Sequence, residues 1–174
     1  MITSIAIFGA TEKYAPVIAE SLAADCFNQI LLFSDQKKEL LALHDRILKN
    51  NLSANLEIID CASEASWQAD IIILAVCSDI QKLISERIVG FVTRKILIAF
   101  VDSEDDLVNL SKSNVLQDLL PHTHVISVYL TEDQEFGKSF YLSGLDVDAL
   151  EETSSLLIAA GFNSKTYNTS NTLI

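Results

Sequence analysis

Apolar residues along this chain fall into two alternating patterns. Short, nearly unbroken apolar runs rich in β-branched residues occupy residues 2–8, 29–33, 56–59, 70–76, 95–101 and 125–130. Their length predicts strands, and their lack of polar alternation predicts strands covered on both faces. Between them lie segments with helical spacing. Val17, Ile18, Ser21 and Leu22 mark a helix over 15–24, with Pro16 in its first turn, where a missing N–H costs little. Leu40, Leu41, Leu43, Ile47 and Leu48 make one stripe over 37–49, and Ile80, Leu83, Ile84 and Ile88 predict the inward face of a helix over 79–89. A helix is also read over 105–120, interrupted around Ser113 and Asn114 and stopped by Pro121. Short strands at 138–142 and 164–167 flank a last helix, N-capped by Asp146 or Asp148 and ended by Gly161. Residues 168–174 read as frayed. Residues 131–137 form the polar break long enough for a lid or a turn toward a partner.

Strands separated by helices of this length specify βαβ units and a mostly parallel sheet. The expected architecture is α/β, Rossmann-like and doubly wound, with helices on both faces. At 174 residues the default is a single domain covering 1–174, long enough to bury a substantial core.

Charge narrows the choice of partner. The net charge of -12 argues against nucleic acid, whose binding needs clustered Lys and Arg, and disfavours a 2'-phosphorylated cofactor. No apolar run approaches the roughly 18 residues of a membrane span. The opening Met1-Ile-Thr-Ser4 lacks the basic segment and cleavage site of a signal peptide, so a cytoplasmic location is expected. Three widely spaced cysteines without a CxxC indicate neither a disulfide framework nor a zinc site.

In an open α/β sheet, ligands bind beyond the carboxyl ends of the strands. That rule selects the loops at 9–14, 34–38, 77–79, 102–106 and 131–135. The first should carry G-x-G-x-x-G if it cradles a pyrophosphate; here those positions read Gly9, Thr11 and Tyr14. Gly9 retains the tight turn. Thr11 adds a Cβ where the backbone must approach phosphate, although its hydroxyl offers a hydrogen bond. Tyr14 either pushes the helix away from the strand or fills the cleft. Glu12 places a negative charge beside the expected phosphate, which Lys13 offsets. Only five glycines occur in the chain, well below the roughly 7% average usage.

The candidate cofactor contacts are therefore Gly9, Ala10, Thr11, Glu12 and Lys13 in the first loop, Ser34 and Asp35 after the second strand, and Ala75, Val76 and Cys77 after the fourth. Asp35 lies about 20 residues beyond the first loop, where an acid holds a ribose 2'-OH and favours NAD over NADP. The competing reading of Asp35 is a helix N-cap. Cys77 faces the same loops, but a thiolate nucleophile needs a base or a lowered pKa, and no histidine stands near it in sequence. His122 and His124 lack the further ligands of a recognised metal spacing. The acidic clusters at 104–106 and 132–135 read as solvated loops or helix starts. No catalytic residue is assigned.

Taken together, Ile5-Ala-Ile-Phe-Gly9, Ala69-Asp-Ile-Ile-Ile-Leu-Ala-Val76, Leu120-Pro-His-Thr-His-Val-Ile-Ser-Val-Tyr-Leu-Thr131 and Ala159-Ala-Gly-Phe162 resemble, in order, segments of the coenzyme F420-dependent NADP oxidoreductases. That family is close in fold to the N-terminal domain of pyrroline-5-carboxylate reductase. The resemblance implies a Rossmann domain that binds NAD or NADP and serves a reductase, and a homodimer is compatible with it. The chain departs from the family at its glycine loop, at Asp35 where an arginine would hold the NADP phosphate, and at Leu130 where the family has Asn. Residues 7–15 are also similar to the G-A-T-G-x-x-G turn of atypical short-chain dehydrogenases, with Glu12 and Ala15 in place of two glycines and no Tyr-x-x-x-Lys helix.

Two functions follow. One is an NAD(P)-dependent reductase with an unusual loop, in which Gly9 to Thr11, Ser34, Asp35 and Ala75 to Cys77 line one cleft. The other is a non-catalytic Rossmann-like module without a nicotinamide cofactor, with Tyr14 across the cleft and a different small molecule or a protein as partner. The space in front of Gly9 separates them.

Overall fold

A computed structural model describes residues 3–25, 28–102, 115–133 and 137–166. Eight strands form one sheet in the order β3-β2-β1-β4-β5-β6-β7-β8. The strands are β1 (Thr3–Phe8), β2 (Asn28–Phe33), β3 (Asn55–Ile58), β4 (Ile71–Leu74), β5 (Ile96–Phe100), β6 (His124–Asp133), β7 (Gly137–Gly144) and β8 (Asn163–Thr166). All neighbouring pairs are parallel except β6 and β7. The helices are α1 (Ala15–Leu22), α2 (Lys37–Asn50), α3 (Ala62–Gln68), α4 (Ser78–Ile88), α5 (Val115–Leu119) and α6 (Val147–Ala159), and a 3-10 turn at Val89–Phe91 extends α4.

The central strands are apolar on both sides because helices cover both. Ile5 and Ile7 of β1 face the layer of α1, α2 and α6, where Ile18, Leu22, Leu40, Leu43 and Leu157 pack. Ala6 and Phe8 face the layer of α3, α4 and α5, with Ala65, Ile88 and Leu116. Every residue of β1 from Ile5 to Phe8 is fully buried. This is the doubly wound α/β architecture that the alternation of runs predicts.

Three expectations need correction. Helix α3 has no counterpart in the sequence reading, because it is short, its cap residue Cys61 makes no side-chain hydrogen bond, and its bulkiest residue, Trp67, is 70% exposed. Helix α4 is rotated relative to its apolar pattern: Gln81, Ser85 and Ile88 are buried, whereas Ile80 and Leu83 are exposed. The polar break at 131–137 is not a loop throughout, since β6 and β7 continue pairing out to Asp133 and Gly137 as an antiparallel ribbon. The predicted interruption near Ser113, the acidic cluster at 104–106 and the frayed 168–174 lie outside the described residues.

Helix α6 locks the antiparallel half of the sheet. Its N-cap is Asp146, whose carboxylate accepts the Ala149 N–H at 2.8 Å, and Gly161 ends it with φ +86°. The edge-to-face chain Phe100–Phe140–Phe162, with centroid spacings of 5.9 and 5.0 Å, ties β5, β7 and the end of α6 together. The Ala149 N–H, with smaller help from His124, holds the Asp146 carboxyl below the usual carboxylate range. A carboxylate depressed in the folded state stabilises above its unfolded pKa, and that stabilisation is lost as pH falls through the folded value. Asp146→Ala should therefore cost about 1 kcal/mol at neutral pH, with the deficit shrinking below about pH 4, whereas Asp146→Asn should retain most of the cap. Urea unfolding as a function of pH measures both.

Candidate functional site

The strand order reverses between β1 and β4, and ligands of such sheets bind in the crevice beyond the strand ends at that point. Gly9 turns the chain out of β1 with φ +74°, a left-handed conformation that glycine adopts without penalty. It has a second reason to be glycine: a Cβ there would stand 2.5 Å from Val76 Cγ1 and 3.1 Å from the Ala75 carbonyl. The N–H groups of Gly9 and Ala10 both point at the Phe33 carbonyl, at 3.0 and 3.1 Å. The turn is thus stitched to the end of β2 and packed against the end of β4.

The loop after it is held by side chains. Thr11 Oγ1 and Ser34 Oγ share a hydrogen bond of 2.6 Å, and Ser34 Oγ also accepts the Gln36 N–H at 3.2 Å. Gln36 Nε2 donates to Glu12 Oε1 at 3.0 Å. These contacts join the β1–α1 loop to the β2–α2 loop. On the other side, the Lys13 ammonium donates to Asp102 Oδ1 at 2.6 Å, linking the loop to the end of β5. Lys13 takes φ +32°, and Asp102, first by hydrogen bonding and then by charge, holds its ammonium above the ordinary lysine value.

A cavity of about 390 Å³ opens beside this bridge, bounded by the first loop and the ends of β4, β5 and β6. Among the candidate residues, Glu12, Lys13, Asp35, Ala75, Val76 and Cys77 line it. Gly9, Ala10, Thr11 and Ser34 do not: the first two are buried under the turn, and the latter pair bond to each other. The expectation of one cleft lined by all of these residues is corrected accordingly. Tyr14 is half-buried, packs against the core and forms part of the cavity wall.

Several lining residues escaped the sequence reading. Phe100 and Tyr129 supply aromatic surface, while Asp102, in one of the selected loops, supplies the partner of Lys13. The floor depends on Gln81, which is 3% exposed. Its Nε2 donates to the Val76 carbonyl at 2.8 Å and the Phe100 carbonyl at 2.6 Å, clamping the ends of β4 and β5. A polar residue on the apolar side of a helical stripe was the available signal.

His122 and His124 lie at the opposite end of the sheet, with Arg94 and Asp146, around a shallow hollow. His124 Nδ1 lies 3.0 Å from Asp146 Oδ2. The pair is therefore remote from Cys77, and the fold does not bring a histidine to that thiol. Among the described residues, no group of three or more His, Cys, Asp or Glu side chains is arranged to hold a metal ion. No described helix is long and apolar enough to cross a membrane.

The fold is shared with solved reductases. A putative F420-dependent NADP reductase from Arthrobacter sp. FB24 matches at 18% identity and TM-score 0.68, covering 93% of this chain and 83% of its own. Plasmodium falciparum pyrroline carboxylate reductase, solved with NADP bound, matches at 13% identity and TM-score 0.69, covering 96% and 58%. An imine reductase from Myxococcus stipitatus in complex with NADP+ matches at 13% identity and TM-score 0.71, covering 96% and 55%. The chain thus spans somewhat more than half of the two longer reductases. No protein-family model and no curated protein sequence matches it. At these identities the likeness shows the fold alone: a Rossmann-like α/β domain.

Gln81→Leu keeps the volume but removes a donor from two part-buried carbonyls, and should destabilise by about 1 kcal/mol in urea unfolding. The Lys13–Asp102 pair is more than half exposed on both sides, so Lys13→Met should cost less than about 1 kcal/mol. Its contribution should persist through neutral pH and disappear only above about pH 10, because a raised lysine pKa stabilises below the unfolded value.

Proposed function

We propose that this chain is a reductase-type Rossmann module with an altered cofactor site, whose cleft takes a small ligand lacking a pyrophosphate. A dinucleotide's pyrophosphate needs free backbone N–H groups at the first loop and glycine where the backbone must approach it. The carrying observation is the Thr11 side chain, which stands at the second glycine position and is tied across the turn to Ser34 Oγ at 2.6 Å. Thr11 and Tyr14 occupy the other two glycine positions, and the Glu12 carboxylate lies in the same loop. These residues do not fit a pyrophosphate. The remaining cavity of about 390 Å³ is at the lower end of the range of roughly 300–1,000 Å³ for small-molecule sites.

A second reading, NAD binding, draws support from Asp35, which lines the cavity at the end of β2. An acid there suits an unphosphorylated ribose. The solved reductases with NADP bound lend the same reading the support of a shared fold.

Thermal unfolding with NAD, NADH, NADP and NADPH at millimolar concentration separates the two. A ligand at 100 times its Kd adds about 2.7 kcal/mol and moves the midpoint by a few degrees. The altered-site reading expects no shift with any of the four. A shift with NAD or NADH that disappears in Asp35→Ala would overturn it in favour of the second reading.

A further inference from the structure

The charge around the cleft specifies more than the absence of a pyrophosphate. Resting on the altered-site reading, we infer that the ligand is a small organic cation, a protonated amine or similar group on an apolar body, and not an anionic metabolite. Three carboxylates, Glu12, Asp35 and Asp102, line the cavity against one ammonium, Lys13. Lys13 is already paired with Asp102 at 2.6 Å, so it offers little to an incoming anion. Glu12 accepts a hydrogen bond from the neutral amide of Gln36, and neither Glu12 nor Asp35 has an ion-pair partner among the described residues. Two acidic residues therefore line the cavity without an ion-pair partner among the described residues.

The other walls suit an apolar body. Tyr14, Phe100 and Tyr129 contribute rings, and Ile80 and Leu130 contribute aliphatic surface. Ring faces attract cations through their quadrupoles, so the same walls that remove an apolar body from water also favour its charged end. The field of the whole chain acts in the same direction, since a net charge of -12 repels anions and concentrates cations at an acidic cleft. The N-termini of α1 and α4 open toward the cleft and would favour an anion. Each contributes a partial charge, and Asp79 already stands in the first turn of α4. The full charges of Glu12 and Asp35 outweigh them.

The test uses the full chain and three probes of similar shape: 2-phenylethylammonium, 2-phenylethanol and phenylacetate, titrated calorimetrically at neutral pH. The cation should bind about tenfold or more tightly than the alcohol, and phenylacetate should bind least. Raising the salt concentration should narrow the difference, and Glu12→Gln combined with Asp35→Asn should nearly abolish it. Circular dichroism reports whether that variant keeps its fold, and Asp35→Asn alone provides a milder change with the same sign. The exposed Cys77 thiol reports the place of binding: its maleimide labelling should slow with the cation present, while that of Cys61 should not. Equal or tighter binding of phenylacetate, or no binding of 2-phenylethylammonium at about 10 mM, would overturn the inference. Cation selectivity that survives alongside tight NAD binding would instead overturn the altered-site reading and leave the charge preference standing.

Discussion

Two backbone N–H groups converge on one carbonyl at the point where the sheet changes direction, and the rest of the site depends on that contact. The Phe33 carbonyl receives the N–H of Gly9 and of Ala10, fixing the first turn to the end of β2. Gly9 can turn there because its φ of +74° carries no penalty, and it can approach Ala75 and Val76 because it has no Cβ. Three strand ends are thereby held together. One constraint thus builds the cleft.

Side chains close the region that the turn leaves open. Thr11 reaches Ser34, Glu12 reaches Gln36, and Lys13 reaches Asp102. Each contact is exposed or half-buried, and none contributes much to stability alone. Their joint effect is geometric. They join the first loop to its neighbours on both sides and leave the cavity beside the ends of β4, β5 and β6. Gln81 supports that cavity from below by binding the Val76 and Phe100 carbonyls, which explains why α4 presents an amide to the core and leaves Ile80 and Leu83 exposed.

Comparison with reductases of known structure defines a shared framework and leaves the chemistry to the individual residues. A fold hosts many activities, and function resides in the site grafted on it. The framework here is the strand order with its switch point between β1 and β4 and the turn at Gly9. Acidic residues and aromatic rings line a cavity of about 390 Å³ beside it.

Much of the framework was legible from pattern alone. Runs such as Ile71–Leu74 are apolar without alternation because both faces of the sheet are covered, and burial of that kind leaves a direct trace in the sequence. Asp146 and Gly161 were legible because helix ends impose local hydrogen-bonding and dihedral demands. The turn at Gly9 was legible because a tight turn out of a strand is itself a local requirement. Helix α3 was not, since its few buried positions, Ala65 and Ser66, leave no apolar period. The ribbon at β6 and β7 is not legible because a polar strand pair looks like a loop in composition. Which loops bond to which, where Lys13 sends its charge, and that His122 and His124 lie at the far end from Cys77 were decided only when distant segments met. Those facts depend on pairings across up to 89 positions of chain, as between Lys13 and Asp102, and no local pattern encodes them.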